Sequence, residues 1–263
     1  VPTVIVRAGT SHPTATLGPD SLVAHASLRW ATPDPRLAGG SRLEARLEFR
    51  PAADPLGSHV MVVADASGSM AGEPNRMLRA SLGALVDGLP LGTDPSTRFG
   101  LAAFDDAGRV RIEPTDERGP IATAIDALGA GGGSCLSCGV AAGLGALQRA
   151  RPAPGYEDLV LIADGPNAQG CDALRREAEL ARVPGPSGRP VAIHAVCLGA
   201  AGCDGSCLAM VASPGRYHEA ATLADAPAAL ASVAEALASD RRVDRVGATI
   251  VLPDPLRIVD GSM

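Results

Sequence analysis

Hydrophobic positions in the central part of the chain follow two alternating patterns. Continuous apolar runs of about four to eight residues, rich in Val, Ile and Leu, are typical of buried parallel strands. Between these runs, apolar residues recur three or four positions apart, which predicts amphipathic helices. The predicted strands are 60–64, 99–104, 110–112, 158–163, 191–198 and 216–218, and the predicted helices are 77–89, 121–128, 140–147, 173–182 and 227–238. This alternation predicts an α/β fold with a doubly wound, mostly parallel sheet covered by helices on both faces.

The two ends of the chain have a different pattern. Short, partly alternating segments separated by Pro- and Gly-rich stretches predict antiparallel strands there. These segments lie at 3–7, 22–30, 42–50, 246–252 and 256–259. Because a few short strands close a hydrophobic core poorly by themselves, we expect the terminal segments to combine in a small flanking β-sandwich. The predicted division is therefore a sandwich built from residues 1–56 and 240–263 beside an α/β domain over residues 57–239.

Composition narrows the function classes. With 263 residues and 46% hydrophobic content, the chain can form one full α/β core and a smaller appendage. Aromatic residues make up only 2%, so the core is expected to be aliphatic. A net charge of −6 and the absence of a basic run argue against nucleic acid or an anionic membrane as partner. No apolar run approaches the roughly 20 residues of a membrane span, and no signal peptide opens the sequence, which leaves the compartment open.

The clearest chemical motif follows the first apolar run, in the segment HVMVVADASGSM at 59–70. Asp65, Ser67 and Ser69 alternate in the predicted turn after the strand. Such a turn lies at the carboxyl edge of a parallel sheet, where open α/β folds bind their ligands. One carboxylate and two hydroxyls are suitable ligands for a hard cation such as Mg²⁺. On spacing alone, capping of the following helix is an equally good interpretation.

This Asp-x-Ser-x-Ser turn resembles the first motif of the von Willebrand factor type A domain, whose metal-ion-dependent adhesion site is built from three loops. The second family motif, Gly-Gly-Thr, is similar to the segment GGS at 132–134, in which Ser replaces Thr. The third, an apolar strand leading into Thr-Asp-Gly, resembles LVLIADG at 159–165, which keeps Asp164 and has Ala163 in place of Thr. The motifs occur in the family's order, and the resemblance covers roughly two thirds of the chain.

The resemblance implies a specific ion site. Its direct ligands would be Ser67, Ser69 and Ser134, while Asp65 and Asp164 would act directly or through water. The implied ion is Mg²⁺, or Mn²⁺ or Ca²⁺ in its place. Because few anionic ligands touch it directly, the ion would stay electrophilic and keep one position for an acidic side chain of a partner protein. The expected function is therefore non-enzymatic, divalent-cation-dependent protein binding.

Two other functions need to be weighed against this one. An Asp after a strand with bound magnesium also describes haloacid-dehalogenase-type phosphatases, but these need a second carboxylate where this chain has Ser67, and a Lys, which the sequence lacks. The histidines show no zinc-protease spacing, and His194 alternates with apolar residues and is expected to be a satisfied, buried side chain. We therefore expect no catalysis. The remaining alternative is a scaffold or regulatory subunit working with an ATPase, as in some bacterial members of the family.

Six cysteines are the second unusual feature of the sequence. Cys197 lies in an apolar predicted strand and is expected to be a plain core residue. The other five, in loops or helix starts expected at one edge of the sheet, are Cys135, Cys138, Cys171, Cys203 and Cys207. Their C-x2-C and C-x3-C spacings fit a tetrahedral zinc site, and they equally fit two disulfides. Unpaired small residues are a third interpretation, and the sequence slightly favours disulfides or redox-active thiols over zinc.

Overall fold

The computed structural model divides the chain into two compact units. One comprises Leu56–Arg242, and the other comprises Val1–Pro55 together with Val243–Met263. The residues that the structure describes are 14–17, 22–30, 43–51, 57–93, 96–150, 155–184, 190–199 and 205–239. Most of these residues belong to the larger unit.

The described part of the smaller unit is an antiparallel sheet in the order β1-β2-β3. Its strands are β1 (Thr14–Leu17), β2 (Leu22–Trp30) and β3 (Leu43–Pro51). Strands β2 and β3 correspond to the strands predicted at 22–30 and 42–50, and they pair along their whole length. Strand β1 was not predicted, because four residues are too few to display an alternating pattern.

The remaining terminal strands predicted from the sequence lie outside the described residues. These are the segments 3–7, 246–252 and 256–259. The flanking β-sandwich and the domain boundaries at 56 and 240 therefore stay predictions.

The larger unit is built on a mixed six-stranded sheet. Its strands are β4 (Gly57–Asp65), β5 (Thr97–Phe104), β6 (Gly108–Thr115), β7 (Gly155–Ala163), β8 (Ala192–Leu198) and β9 (Tyr217–Ala220). They lie in the order β6-β5-β4-β7-β8-β9. All neighbours are parallel except β5 and β6, which form an antiparallel pair at one edge. The predicted doubly wound, mostly parallel sheet is confirmed.

Helices cover both faces of this sheet. They are α1 (Glu73–Gly88), α2 (Arg118–Asp126), α3 (Leu136–Arg149), α4 (Cys171–Arg182), α5 (Gly205–Val211) and α6 (Ala226–Ser239). Alternate residues of the central strand β4 point to opposite faces. Val60 and Val62 belong to the core that packs against α1, α2 and α6. Met61 and Val63 belong to the second core, which packs against α3, α4 and α5.

Most observed elements of the larger unit are longer than their predicted counterparts, because apolar periodicity does not mark polar first and last turns. Helix α1 begins at Glu73 rather than at 77, with a proline in its first turn. The short strand predicted at 110–112 extends over the whole of β6, whose first six residues alternate between partly exposed and exposed positions. Helix α5 was predicted as loop, because a seven-residue helix hardly completes two turns of the apolar pattern.

Chain order and sheet order together identify the ligand-binding edge. From β4 the chain goes to β5 on one side, and only later does β7 pair with β4 on its other side. The carboxyl end of β4 is therefore a topological switch point, where open α/β sheets form a crevice. Asp65 is the last residue of β4, and Asp164 follows the last residue of β7. Both carboxylates therefore lie at this crevice.

Candidate functional site

Asp65 is held at the floor of the crevice by two loops. Its side chain is buried, with the residue only 2% exposed. Oδ1 accepts a hydrogen bond of 2.8 Å from the backbone N–H of Ser67, which fixes the turn after β4. Oδ2 accepts a longer bond of 3.4 Å from the backbone N–H of Asp164, in the loop after β7. The first and third sequence motifs therefore meet at this carboxylate.

A line of oxygen atoms continues from this carboxylate toward the surface. The hydroxyls of Ser67 and Ser69 lie 2.9 Å apart. The Ser69 hydroxyl donates a hydrogen bond of 3.0 Å to Oδ1 of Asp164. Ser67 precedes the short 3₁₀ helix Gly68–Met70, but its side chain makes no capping hydrogen bond. The capping interpretation of the motif is therefore wrong for Ser67, and its hydroxyl is directed to the other oxygens of the cluster.

The glycine-rich loop of the second motif joins both other loops through backbone hydrogen bonds. The N–H of Gly68 donates to the Gly132 carbonyl over 3.1 Å, and the N–H of Gly131 donates to the Ala66 carbonyl over 2.8 Å. On the other side, the N–H of Ala168 donates to the Ser134 carbonyl over 2.8 Å. The structure thus brings the three predicted motifs together at one edge of the sheet.

Ser134 carries an unsatisfied polar atom. Its Oγ is buried and has no hydrogen-bond partner among the described residues. A buried hydroxyl without a partner costs free energy, about 1–3 kcal/mol in proteins, so such atoms are rare in folded domains. A ligand that coordinates this oxygen removes the cost. The Ser134 hydroxyl is therefore the feature of the site that most directly fits a bound ion.

Two further acidic residues, Asp105 and Asp106, support the glycine-rich loop and were missed by the sequence reasoning. Oδ1 of Asp106 accepts a hydrogen bond of 2.9 Å from the N–H of Gly133. The carbonyl of Asp105 accepts one of 2.8 Å from the N–H of Cys135. Gly132 has a φ of 80°, and a Cβ atom there would lie 2.7 Å from Oδ2 of Asp106, so glycine is required on both grounds. The sequence does show two adjacent acidic residues directly after the predicted strand 99–104, and this pair could have indicated residues that support the loop.

The electrostatics of the site favour a cation. Burial, together with the negative charge of Asp164, raises the pKa of Asp65 to about 6, although the hydrogen bonds from Ser67 and from the backbone N–H of Asp164 act in the opposite direction. No basic side chain contributes to this shift. The structure therefore holds a buried carboxylate whose charge is not balanced by its protein neighbours. Among the described residues, no three His, Cys, Asp or Glu side chains form a metal-binding group; the candidate site instead combines two carboxylates with hydroxyls.

The cysteines in the described part of the chain are paired rather than free. Disulfides join Cys135 to Cys138, with Cα atoms 5.2 Å apart, and Cys171 to Cys207, with Cα atoms 5.6 Å apart. Sulfurs bonded in this way have no thiolate to offer zinc. Cys197 also takes part in a disulfide, so the expectation of a plain core residue was wrong. Cys203 lies outside the described residues.

His194 is buried on β8, away from the candidate site. It is fully inaccessible, and its Nε2 lies 3.4 Å from Oδ1 of Asp158 and 3.1 Å from an Nη atom of Arg216. Its Nδ1 has no hydrogen-bond partner among the described residues. The predicted burial is confirmed, but the expectation that the ring is fully satisfied is wrong at this nitrogen.

Comparison with known proteins finds a family model that matches part of the chain. Residues 60–167 match the family model of the von Willebrand factor type A domain. This segment contains all three motifs. Domains of this family are typically protein-interaction or adhesion modules. No curated protein matches the chain in sequence.

Solved structures share the fold at low sequence identity. The von Willebrand factor domain of the type V pilus tip protein Mfa5 from Porphyromonas gingivalis aligns with a TM-score of 0.62 and 15% identity, over 74% of this chain and 99% of that one. The pilus adhesin SpaC from Lactobacillus rhamnosus GG gives 0.59 and 14%, over 82% of this chain and 35% of that one. Proximal thread matrix protein 1 from the mussel byssus, whose structure has a zinc-occupied metal-ion-dependent adhesion site, gives 0.56 and 21%, over 69% and 46%. The chain therefore spans about half or less of the last two proteins.

Among the described residues, no helix has the length and apolar content needed to cross a bilayer.

Proposed function

We propose that this chain is a divalent-cation-dependent protein-binding module whose ion is held by Asp65, Ser67, Ser69, Ser134 and Asp164. The observation that carries the proposal is the buried, unpartnered Ser134 hydroxyl in a loop joined to both loops that bear the other oxygens. A cation at this edge satisfies the hydroxyl and balances the buried Asp65 carboxylate at the same time.

The donor set favours a hard ion. All the proposed ligands are oxygen atoms, which suit Mg²⁺, Mn²⁺ and Ca²⁺, whereas Zn²⁺ prefers nitrogen and sulfur. Magnesium is the first choice because it is bound through one or two carboxylates and keeps several waters. The zinc at the corresponding motif of the mussel protein makes zinc the competing ion to test.

The charge count points to the kind of partner. Two carboxylates neutralise a divalent ion only if both are ionised, and the shift in the pKa of Asp65 shows that its ionisation is costly. An ion held in this way remains attractive to one more anionic oxygen. We infer that a carboxylate from a partner protein completes the coordination sphere, so that binding requires both the ion and an acidic side chain of the partner.

Catalysis is not part of the proposed function. Ser67 stands two residues after Asp65, where the phosphatase chemistry considered above needs a second acid, and its hydroxyl contacts the Ser69 hydroxyl. The structural neighbours named above include pilus proteins rather than enzymes. A module that binds through its ion needs no such acid.

The test is ion-dependent stabilisation of the purified protein after treatment with EDTA. An ion present at about 100 times its dissociation constant adds about 2.7 kcal/mol to the free energy of unfolding. We expect Mg²⁺ or Mn²⁺ to raise the melting temperature of the wild-type protein and to leave that of Asp65→Asn unchanged. Asp158→Asn is the matched control, because Asp158 is equally buried, at 3% exposure, on β7. Stabilisation that persists in Asp65→Asn would contradict the proposed site.

A pull-down with and without EDTA then tests the partner. Capture that disappears with EDTA and returns with Mg²⁺ supports binding through the ion. Co-purification of an ATPase that EDTA does not release would instead support a scaffold function that does not use the ion.

A further inference from the structure

A disulfide closes the first turn of the helix that follows Ser134. Cys135 is the N-cap residue of α3, and Cys138 lies in its first turn. The two cysteines differ in accessibility, since Cys135 is 1% exposed and Cys138 is partly exposed. The ion-binding proposal makes no use of this bond.

We propose that Cys135–Cys138 is a redox-active disulfide that exchanges with an external dithiol, with Cys138 as the sulfur attacked and Cys135 as the leaving thiolate. This inference does not depend on the proposed ion site. It rests on the unequal accessibility of the two cysteines and on the groups that surround Cys135.

The accessibility determines where a thiolate attacks. Thiol–disulfide exchange begins with attack by an incoming thiolate on one sulfur, and access is one of the factors that sets its rate. Cys138 is the partly exposed residue of this pair, whereas Cys135 is buried. The incoming thiolate therefore forms its bond to Cys138 Sγ.

The surroundings of Cys135 favour its departure as a thiolate. Its Sγ already accepts a hydrogen bond of 3.3 Å from the N–H of Cys138. It lies at the N-terminus of a 14-residue helix, where the backbone dipoles stabilise negative charge. The Ser137 hydroxyl lies 3.7 Å from Cys135 Sγ and 3.5 Å from Oε1 of Gln169, so its hydrogen can turn from the amide oxygen to a thiolate.

The dithiol alone supplies the two electrons that reduce the disulfide. The first thiolate of the dithiol forms a bond to Cys138 Sγ as the Cys138–Cys135 bond breaks, and Cys135 keeps the electron pair. The second thiolate of the dithiol then attacks the first sulfur of the same dithiol, which is bonded to Cys138 in the mixed disulfide. Cys138 leaves and takes up the proton that the second thiol lost. Two electrons pass to the protein, and the dithiol becomes a disulfide.

The fold around the bond is compatible with both redox states. The N–H of Cys135 donates to the Asp105 carbonyl over 2.8 Å, and its carbonyl accepts a bond of 3.1 Å from the N–H of Gly139. Neither contact needs the disulfide. With a sequence separation of 3, the bond closes only a very short loop, and a disulfide stabilises a fold less when its loop is shorter.

The Cys171–Cys207 disulfide provides an internal comparison. It spans 36 residues and joins α4 to α5. Cys171 is partly exposed as Cys138 is, but Cys207 is 2% exposed within the hydrophobic core beneath α5. Cys207 belongs to a hydrophobic cluster, and burial among apolar side chains disfavours a thiolate. The residues attacked in the two disulfides are therefore similarly exposed, but the thiols that leave, Cys135 and Cys207, lie in different surroundings.

Reduction of the folded protein by dithiothreitol near neutral pH, in EDTA, tests this difference. Samples are quenched with acid at intervals and alkylated, and the opened bonds are identified by peptide mass spectrometry. We expect Cys135–Cys138 to open about ten times faster than Cys171–Cys207, with the circular dichroism spectrum unchanged. Opening of both bonds at one rate, or opening of Cys135–Cys138 only on unfolding, would overturn the proposal.

Variants test the two assigned roles. Ser137→Ala should slow the opening of Cys135–Cys138 several-fold and leave Cys171–Cys207 unaffected, while Ser81→Ala, which removes another buried hydroxyl, should change neither rate. Oxidised glutathione should form a mixed disulfide with folded Cys135→Ser, at Cys138, but not with folded Cys138→Ser. An unchanged rate in Ser137→Ala refutes the role of the hydroxyl in stabilising the thiolate. Modification of Cys135 instead of Cys138 refutes the assigned order of attack.

Discussion

The hydroxyl of Ser69 donates a hydrogen bond of 3.0 Å to Oδ1 of Asp164, although 95 positions separate the two residues in the sequence. The contact joins the turn after β4 to the loop after β7, and backbone hydrogen bonds join both of these loops to the loop that carries Ser134. Ser69 has hydrogen-bond partners within the protein, whereas the Ser134 hydroxyl has none among the described residues. The two serines should therefore respond differently to removal of their hydroxyls.

Ser134→Ala should lose stabilisation by Mg²⁺ without losing stability in EDTA, because the hydroxyl it removes makes no hydrogen bond in the ion-free protein. Ser69→Ala should lose the stabilisation by Mg²⁺ and should also be about 1 kcal/mol less stable in EDTA, because two hydrogen bonds disappear. Urea denaturation with and without the ion measures both quantities. A clear loss of stability of Ser134→Ala in EDTA would show that its hydroxyl has a partner within the protein.

The raised pKa of Asp65 predicts a specific dependence of stability on pH. The pKa is about 6 in the folded protein and 3.8 in the unfolded chain, so the folded state binds more protons between these values. The free energy of unfolding of the ion-free protein should therefore fall as the pH rises from about 4 to 6, by on the order of 2 kcal/mol. Stabilisation by the ion should increase over the same range, because the ion needs the ionised carboxylate.

The measurement is urea denaturation in EDTA at several pH values, with Asp65→Asn for comparison. The difference in stability between wild type and variant isolates this carboxyl from the other titrating groups. If that difference does not change with pH, the pKa of Asp65 is not raised.

Asp106 should affect ion binding without touching the ion. Its carboxylate accepts the N–H of Gly133 and so fixes the loop that carries Ser134. Asp106→Ala should weaken Mg²⁺ binding about tenfold, as loss of a supporting hydrogen bond commonly does at metal sites. Asp87→Ala on α1 removes the same charge from a side chain that is 84% exposed, and should leave the affinity unchanged. Titration calorimetry measures the Mg²⁺ affinity of both variants. An equal loss of affinity in the two would indicate a general effect of charge.

Glycines in α3 should respond differently to alanine substitution. A Cβ atom at Gly139 would lie 2.7 Å from side-chain atoms of both Phe104 and Val63, so Gly139→Ala should cost about 1–3 kcal/mol through overpacking. At Gly145 the nearest atom is the end of the flexible Arg149 side chain, 3.3 Å away. Gly145→Ala should therefore stabilise the helix by about 0.5–1 kcal/mol. Thermal denaturation distinguishes them, and a neutral Gly139→Ala would show that α3 can move away from the sheet.

Local sequence determined the order of the elements and the identity of the three motifs. The apolar run 60–64 forms a strand because it is β-branched and continuous, and the turn after it carries Asp65 because a polar residue ends such a run. The same reasoning placed Asp164 after β7 and Ser134 before α3. These features depend on neighbouring residues, which a sequence displays directly.

The tertiary structure alone decided which atoms meet and which do not. The sequence could not show that Ser67 leaves the helix uncapped or that Ser134 lacks a hydrogen-bond partner among the described residues, because both depend on how distant segments pack. The shift in the pKa of Asp65 is likewise a consequence of burial between β5 and β7. Burial and long-range pairing are properties of the packed sheet, whereas the choice of strand, turn and helix is largely a property of each segment.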